Sequence, residues 1–367
     1  MTQQAPLRVG FLMDQIAGHV TNYRNLRHVI SQDSRIEPTW VEIEFFRPNG
    51  RLERVSQGLR FVPPYITGVS RGAIDLRNGL RRGPFDVIYT NSSIAVLFVR
   101  QFCRTPTLLH LDSTPIQIDR MPTYPSPADP VVLAAMKKRM STKLFTSVAA
   151  IQAWSAWARN SFVDDYGVSP ARITVNPPGI DVKAWRPPAR LERRTGPVRV
   201  LFVGGDFDRK GGALLLDWFH RQTPGSIELH VVTRDTVEET AGLYVHRNLL
   251  ANSPDLLRLF HDADVFALPS LGECFGIASV EAMSAGLPVV ASDAGGTADI
   301  IEDGRNGIIV GAGSQVDLDL ALNTLVADAS LRSRMSSHAH NSATKFDITE
   351  SATNILNCLL RISRIGN

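Results

Sequence analysis

The sequence predicts an α/β protein with two doubly wound, Rossmann-like domains that face a central crevice. Its 367 residues exceed the size at which one hydrophobic core usually keeps growing, so two domains are expected. Short apolar runs alternate with helical patterns in both halves, as they do when helices connect the strands of a parallel sheet. A segment rich in Pro and charge, residues 186–199, lies between the halves and lacks apolar periodicity, so we place the linker there.

The first domain is predicted at residues 1–190 and the second at residues 191–345. Residues 346–367 have helical spacing and predict a C-terminal helix that could pack back on the first domain. The strand-like runs of the first domain are LRVGFLM, PTWVEIEF, DVIYTN, TLLHLD, SVAAIQAWS and ITVNPPG. Those of the second domain are VRVLFVGG, IELHVVT, GLYVHRN, ADVFALPS, GLPVVAS and GIIVGAG. Ligand-binding loops are expected at the carboxyl ends of these strands.

Composition excludes several classes of protein. The net charge of +3 is too small to favour nucleic acid, and 44% hydrophobic residues are ordinary for a globular chain. Three widely spaced cysteines favour reduced thiols in a cytoplasmic setting. No leader pattern and no apolar run of membrane-spanning length is present, so we expect a cytoplasmic protein that is at most peripheral at the inner membrane face.

Arginine is concentrated between Arg47 and Arg82, where eight arginines stand against Glu53 and Asp75. Such a segment fits an anionic membrane surface or an anionic acceptor, because each cation near a lipid surface adds about 1 kcal/mol. The alternative is a solvated helical face, which is the usual meaning of a charge run.

A glycine-rich turn opens the second domain. In VLFVGGDFDRKGG a strand leads through Gly204 and Gly205 to the basic pair Arg209 and Lys210 and then to a helix. Backbone amides and a helix N-terminus at such a turn attract anions, and a diphosphate would suit it. The alternative, a solvated turn with two surface cations, stays open on the loop alone.

Two carboxylates flank a second loop. ADVFALPS reads as a buried strand, LGECFG as the loop at its carboxyl end and IASVEAMSA as a helix closed by Gly286. Glu273 is therefore expected in the loop, and Glu281 about two turns into the helix, on a face that returns toward the loop.

This second stretch resembles the family 4 retaining glycosyltransferases, which have the GT-B fold. Their signature is a Glu followed by any residue and Phe-Gly, a second Glu eight positions after the first, a Gly-x-Pro-Val-Val strand and a Gly-rich turn. The resemblance is strongest from Ile173 to Val310. In this chain the signature stands as Glu273-Cys274-Phe275-Gly276, Glu281-Ala282-Met283, Gly286-Leu287-Pro288-Val289-Val290 and Gly295-Gly296.

The resemblance implies a role for each matching residue. Glu273 would meet hydroxyls of the donor sugar and Glu281 those of the ribose, since carboxylates accept charge-assisted hydrogen bonds. Lys210 and Arg209 would hold the diphosphate, although relatives usually carry the Arg just after the strand, where this chain has Gly204, Gly205 and Asp206. The full set of expected donor-binding residues is Gly18, Gly204, Gly205, Lys210, Glu273, Cys274, Phe275, Gly276, Ile277, Glu281, Thr233, Asn248 and Leu249.

The first domain is expected to bind the acceptor. Gly18 fits loosely to a glycine loop of the family near the diphosphate, and His19 beside it could contact the acceptor, as could Asp112. His110, at the carboxyl end of a strand, matches a family histidine that faces the donor sugar and is predicted as a catalytic residue with Glu273, Lys210 and Arg209. The alternatives are a surface histidine for His19 and a satisfied core histidine for His110.

The resulting prediction is a retaining hexosyltransferase that moves a sugar from a nucleotide-diphosphate sugar to a hydroxyl of a glycan, a lipid-linked molecule or a small molecule. No cofactor and no metal are expected, and UDP or GDP is the expected nucleotide. The Asp-x-Asp pairs at 206/208, 262/264 and 317/319 are interpreted as caps and surface groups. Two alternatives stay open, a non-catalytic sugar-nucleotide-binding protein and an enzyme like the glucan phosphorylases.

Overall fold

The computed structural model describes residues 5–48, 50, 52–54, 64–121, 123, 129–187 and 196–364. The chain divides into two compact units. The first comprises residues 1–120, 126–179 and 348–367, and the second comprises residues 121–125 and 180–347. The chain therefore passes to the second unit between Gly179 and Ile180, before the sequence-based boundary at residue 190.

The first unit contains a six-stranded parallel sheet with the strand order β2-β1-β3-β4-β5-β6. Its strands are β1 Leu7–Asp14, β2 Ile36–Ile43, β3 Val87–Thr90, β4 Thr107–Leu111, β5 Ala150–Ala153 and β6 Ile173–Val175. Its α-helices are α1 Gly18–Ile30, α2 Pro64–Leu80, α3 Val99–Arg104, α4 Pro115–Arg120, α5 Val131–Ser147, α6 Ala156–Asp164 and, at the C-terminus, α14 Ile348–Ser363. Two 3₁₀ helices cover Ser93–Phe98 and Pro170–Arg172.

The C-terminal helix α14 packs in a hydrophobic cluster of the first unit. Ile355 and Leu359 are completely buried there with Phe11 of β1 and Leu26 of α1. The apolar residues of α14 recur at helical spacing, so one face is continuously apolar and can enter the core. The last element of the chain thus completes the core that the first strand begins.

The second unit has a matching parallel sheet with the order β12-β11-β10-β7-β8-β9. Its strands are β7 Val198–Val203, β8 Ile227–Val232, β9 Leu243–His246, β10 Val265–Leu268, β11 Val289–Ser292 and β12 Gly307–Val310. Its α-helices are α7 Val182–Trp185, α8 Gly212–His220, α9 Pro254–Asp262, α10 Ile277–Ser284, α11 Thr297–Ile300, α12 Gln315–Ala327 and α13 Ala329–Ala343. A 3₁₀ helix covers Thr344–Phe346.

The predicted fold class is confirmed. Each of the twelve apolar runs coincides with or overlaps one strand, and each sheet changes direction of strand order beside its first strand, as in doubly wound folds. Because all strands of a sheet are parallel, the loops that follow them gather at one edge. In the described part of the chain, every helix is too short or too polar to traverse a bilayer.

Candidate active site

The loops after β7 and β10 form the centre of the candidate donor site in the second unit. These two strands are neighbours in the sheet, and Val265 and Phe266 of β10 lie beside Val200 and Leu201 of β7. The turn after β7 continues from Gly204 to helix α8, and the loop after β10 carries Glu273. The amide of Leu271 donates to the carbonyl of Arg209 at 2.9 Å, which joins the two loops.

A glycine permits this close approach. Gly211 has φ +77°, and a Cβ built on it would lie 1.9 Å from the carbonyl oxygen of Pro269. Such a distance is far inside van der Waals contact, so a larger residue would separate the loops or strain them. Gly211 thus fixes the turn that precedes α8 against the end of β10.

Lys210 and Glu273 form an ion pair across the two loops. The Nζ atom of Lys210 contacts Oε2 of Glu273, and both side chains are mostly buried. The other carboxylate oxygen, Oε1, accepts a hydrogen bond of 3.1 Å from the amide of Cys274. The structure therefore brings together two of the predicted catalytic residues and orients the carboxylate from both sides.

Arg209 lies between the two loops, where protein groups accept hydrogen bonds from its guanidinium. Its Nε donates to Asp206 Oδ2 at 2.9 Å and its Nη1 donates to the carbonyl of Gly272 at 3.0 Å. These two protein acceptors hold the guanidinium between the loops. Arg209 thus stabilises the turn, and its contact with the diphosphate stays a prediction. The motif alone could not reveal the competing acceptors.

Glu281 lies in α10 and is 5% exposed. Burial raises the pKa of its carboxyl to about 8, because a charged carboxylate loses its hydration there. No side chain or backbone group among the described residues donates a hydrogen bond to this carboxyl. A buried acceptor without a protein donor is uncommon, and each such group calls for an explanation.

The other motif residues shape the loop. Gly276 begins α10 with φ +94°, while Cys274, Phe275 and Ile277 are buried. Gly295 has φ +60°, and a Cβ on it would lie 2.0 Å from the carbonyl oxygen of Glu273. These residues are placed at the predicted loop, where their side chains pack against the protein and leave mainly backbone groups for a ligand.

The loops after β8 and β9 carry the other predicted donor-binding residues. Thr233 is 3% exposed, and its hydroxyl accepts a 3.2 Å hydrogen bond from the amide of Asp235, so its side chain is structural. Asn248 and Leu249 follow β9. Strand β8 lies between β9 and β7, so at the usual strand spacing β9 is about 10 Å from β7. No described contact joins them to Lys210 or Glu273. Arg234, to which the sequence analysis assigns no role, follows Thr233 and is exposed at the end of β8.

In the first unit, His19 and Asp112 form a polar cluster at the carboxyl edge of the sheet. His19 Nε2 lies 3.3 Å from Asp112 Oδ2, and His19 Nδ1 lies 2.9 Å from Asn91 Nδ2. Burial lowers the pKa of His19, but the charge and hydrogen bond of Asp112 and the charge of Asp14 outweigh burial and raise it. The sequence analysis did not single out Asn91 or Asp14, although both stand at strand ends.

Asp14 completes this cluster from the end of β1. Burial raises the pKa of its carboxyl to about 6, partly offset by the charge of His19 and by a hydrogen bond from the amide of Ser93. Gly18, the first residue of α1, follows Ala17, whose φ of +44° lies in the left-handed region. A glycine would adopt this conformation without steric cost, so Ala17 strains the turn before α1.

His110 is a satisfied core histidine and not a sugar-facing group. It is completely buried, its Nε2 donates to the carbonyl of Asn176 at 2.8 Å, and its Nδ1 accepts from the hydroxyl of Tyr89 at 2.6 Å. Burial lowers its pKa to about 4, so the ring is neutral. The prediction that His110 is catalytic is corrected, because both ring nitrogens are occupied by protein groups.

Much of the arginine-rich segment lies outside the described residues, including Arg51, Arg60 and the side chain of Tyr65. Two of the described arginines are paired within the protein. Arg71 makes a bidentate contact with Glu53 at 2.7 and 2.9 Å, which lowers the pKa of Glu53 to about 2, and Arg47 Nε donates to Glu44 at 2.6 Å.

The Asp-x-Asp pairs have structural contacts. Asp206 accepts from Arg209, Asp264 accepts from the amide of Arg199 at 2.9 Å, and Asp319 pairs with Arg221 at 2.6 Å. Within the described ranges, no group of three or more His, Cys, Asp or Glu side chains is arranged to hold a metal ion.

Comparisons with known proteins agree with this architecture. Residues 185–342 match the family model "Glycosyl transferases group 1", and residues 33–184 match "Glycosyltransferase Family 4". A D-inositol 3-phosphate glycosyltransferase of Paenarthrobacter aurescens is 31% identical over 209 residues, which are 51% of this chain and 51% of that protein. The chain thus spans about half the length of these curated relatives.

Solved structures share the fold. Anabaena HepE, in complex with UDP, has 18% identity and a TM-score of 0.67, with 97% of this chain and 100% of that chain covered. Sucrose-phosphate synthase from Thermosynechococcus elongatus has 14% identity and a TM-score of 0.73, with 98% and 99% covered. The two family models together span residues 33–342, and the chain belongs to the group 1, family 4 glycosyltransferases with the GT-B fold.

Proposed function

We propose that this chain is an enzyme that transfers a hexosyl group from a nucleotide-diphosphate sugar to a hydroxyl acceptor, with retention of anomeric configuration and without a metal. The observation that carries the proposal is the pairing of Lys210 with Glu273 beside the Gly204–Gly205 turn. A cation at this turn suits the leaving diphosphate, and a carboxylate oriented by Cys274 suits sugar hydroxyls.

Glu281 supports the nucleotide part of the proposal. Ribose has two adjacent hydroxyl donors, and Glu281 is a buried carboxyl for which the described residues supply no donor. Hydrogen bonds from the ribose hydroxyls would remove the free-energy cost of leaving these carboxyl oxygens without donors. We propose UDP or GDP as the nucleotide. UDP should be tested first, because HepE binds UDP and UDP-glucose.

The proposed chemistry needs no nucleophile from the protein. The bond between the anomeric carbon and the diphosphate oxygen breaks, and the acceptor oxygen bonds to the same carbon from the same face. The acceptor proton passes to the departing diphosphate oxygen. Lys210 stabilises the charge that develops on that oxygen, and this type of electrostatic stabilisation is usually the largest contribution to such a rate.

The acceptor side of the proposal lies in the first unit. His19 and Asp112 form a partly exposed pair that can accept or donate a hydrogen bond to an acceptor hydroxyl. Exposed Arg77, Ile66 and Ile74 of helix α2, with exposed Arg81 just after it, support contact with an anionic membrane surface. Sedimentation with vesicles of anionic and of neutral lipid tests this contact, and equal binding to both would exclude it.

The experiment that tests the proposed function has two stages. Thermal-shift measurements against UDP-, GDP- and ADP-sugars first identify the donor, and turnover is then measured with an acceptor panel in EDTA. Proton NMR of the product gives the anomeric configuration. We expect one donor class to stabilise the protein and a retained anomer in EDTA. An inverted anomer, or activity that EDTA removes and a divalent metal restores, would contradict the proposal.

A further inference from the structure

We propose that Arg234 is a second cation that binds the donor diphosphate, opposite Lys210 at the Gly204–Gly205 turn. This inference rests on the proposed function and assigns to the loop after β8 a role that the motif residues do not supply. Arg209, the expected partner of Lys210, already donates hydrogen bonds to Asp206 and to the carbonyl of Gly272.

The topology places Arg234 at the correct edge of the sheet. Strands β7 and β8 pair in parallel through Val203 and Val232. The amide of Gly204 donates to the carbonyl of Val232 at 2.9 Å, so the pairing continues into the first residue of the turn. Arg234 follows Val232 by two positions and therefore stands beside the glycine turn.

The guanidinium of Arg234 lies against Gly205. A Cβ built on Gly205 would be 3.0 Å from Nη2 and 3.1 Å from Nε of Arg234. A Cβ built on Gly204 would be 2.9 Å from the Cβ of Lys210. Each glycine therefore lies beside one cationic residue, Gly205 beside Arg234 and Gly204 beside Lys210. Because glycine has no side chain of its own, neither shields the backbone of the turn from a ligand.

The backbone around Arg234 is anchored. Asp235 Oδ2 accepts a 2.6 Å hydrogen bond from the amide of Phe207, and the amide of Thr233 donates to the carbonyl of His246 at 3.2 Å. The residues on both sides of Arg234 are therefore held by the turn after β7 and by β9. The arginine projects from a fixed base, which reduces the entropy that a ligand must overcome to order it.

The guanidinium of Arg234 has no hydrogen bond or ion pair to any residue that the structure describes. Other arginines of this unit do: Arg199 donates to Glu228 at 2.5 Å, and Arg221 donates to Asp319 at 2.6 and 2.7 Å. The planar guanidinium can bind two phosphate oxygens at once, whereas an ammonium acts as a point charge. A diphosphate between Arg234 and Lys210 would engage both kinds of cation.

Calorimetric titration tests this assignment with UDP and uridine, or with GDP and guanosine if the donor screen selects GDP. Arg234→Ala should weaken diphosphate binding about tenfold or more and leave nucleoside binding unchanged, because only the phosphate contact is lost. Arg234→Lys should restore part of the affinity. Arg258→Ala is the matched control, since Arg258 is exposed on α9 of the same unit and pairs with Asp255; it should bind as the wild type does.

A second variant moves the guanidinium without removing its charge. Gly205→Ala places a methyl group against Arg234, and the exposed side chain can shift without unfolding the turn. It should weaken diphosphate binding less than Arg234→Ala does.

The outcomes separate this inference from the proposed function. If Lys210→Ala loses diphosphate affinity while Arg234→Ala binds as the wild type does, the role of Arg234 is wrong and the proposed function stands. A wild-type chain that binds no nucleoside diphosphate would overturn both. Equal losses of nucleoside and diphosphate affinity in Arg234→Ala would also overturn the phosphate role, because they would indicate a disturbed base pocket or fold.

Discussion

Two histidines of the first unit and two charged residues of the second differ in how far the protein itself satisfies them. In the second unit, Glu281 and Arg234 have no hydrogen-bond partner among the residues that the structure describes. In the first unit, both ring nitrogens of His110 and both of His19 contact protein groups. Residue types that look equally suited to chemistry in a sequence therefore separate into groups that have protein partners and groups for which the described residues supply none.

The largest expected effect is on the donor side. Lys210→Ala should lower turnover about 100-fold or more, as when one group that stabilises a developing oxyanion is removed. Turnover with saturating donor and acceptor measures the change. Lys183→Ala, an exposed lysine in α7 of the same unit, is the control and should retain wild-type turnover. Unchanged turnover in Lys210→Ala would show that this edge of the sheet does not bind the leaving group.

His110→Ala should have the opposite effect: it should lower the stability of the protein and leave the binding of nucleoside diphosphate unchanged. It removes a buried ring and leaves the Tyr89 hydroxyl and the Asn176 carbonyl without their partner, so the free energy of unfolding should fall by about 3 kcal/mol. Urea unfolding measures this loss, while nucleoside diphosphate affinity should stay constant. His28→Ala, on the exposed surface of α1, should change neither quantity. Stability like that of the wild type combined with lost transfer would restore a catalytic role for His110.

The raised pKa of Glu281 predicts a pH dependence of donor binding. Ribose hydroxyls donate to the ionised carboxylate, and ionisation increases as the pH approaches the pKa of about 8. Affinity for nucleoside diphosphate should therefore rise several-fold from pH 7 to pH 8.5, a range in which the diphosphate itself is already ionised. The Glu281→Gln variant should show no such rise. The same rise in both proteins would mean that another group is responsible.

Stability should reveal the raised pKa of His19 in the first unit. Protonated His19 is stabilised by Asp112 and Asp14, so this contribution is full below the unfolded value of 6.5 and is lost as the pH rises through the folded value. Asp112→Asn should therefore destabilise the protein by about 1 kcal/mol more at pH 6 than at pH 9. Asp33→Asn, whose partner Arg35 stays charged, should show no such difference. A pH-independent loss in Asp112→Asn would indicate that His19 is neutral throughout.

The strands and the motif loops were predictable because their signals are local. Each apolar run forms its strand, and Glu273, Gly276 and Glu281 lie on the loop and helix expected from the sequence. The alternation of apolar runs with helical spacing depends only on residues that are close in the sequence. The motif adds a specific glycosyltransferase signature.

The contacts of Arg209, Arg234 and His110 could not be predicted from the local sequence. Arg209 donates hydrogen bonds to Asp206 and to a carbonyl from a different loop. Arg234 reaches Gly205 only because β8 pairs with β7. His110 is occupied by a tyrosine from the neighbouring strand. Each outcome depends on contacts between residues far apart in the chain, and these follow from strand order and packing.

A crystal structure of the chain with bound nucleoside diphosphate tests the central claim most directly, that the second unit leaves its unsatisfied polar groups for the donor. We expect the ribose hydroxyls within hydrogen-bond distance of Glu281 and the phosphates in contact with Lys210 and Arg234. A nucleotide bound elsewhere, with Glu281 still buried and untouched, would contradict the account.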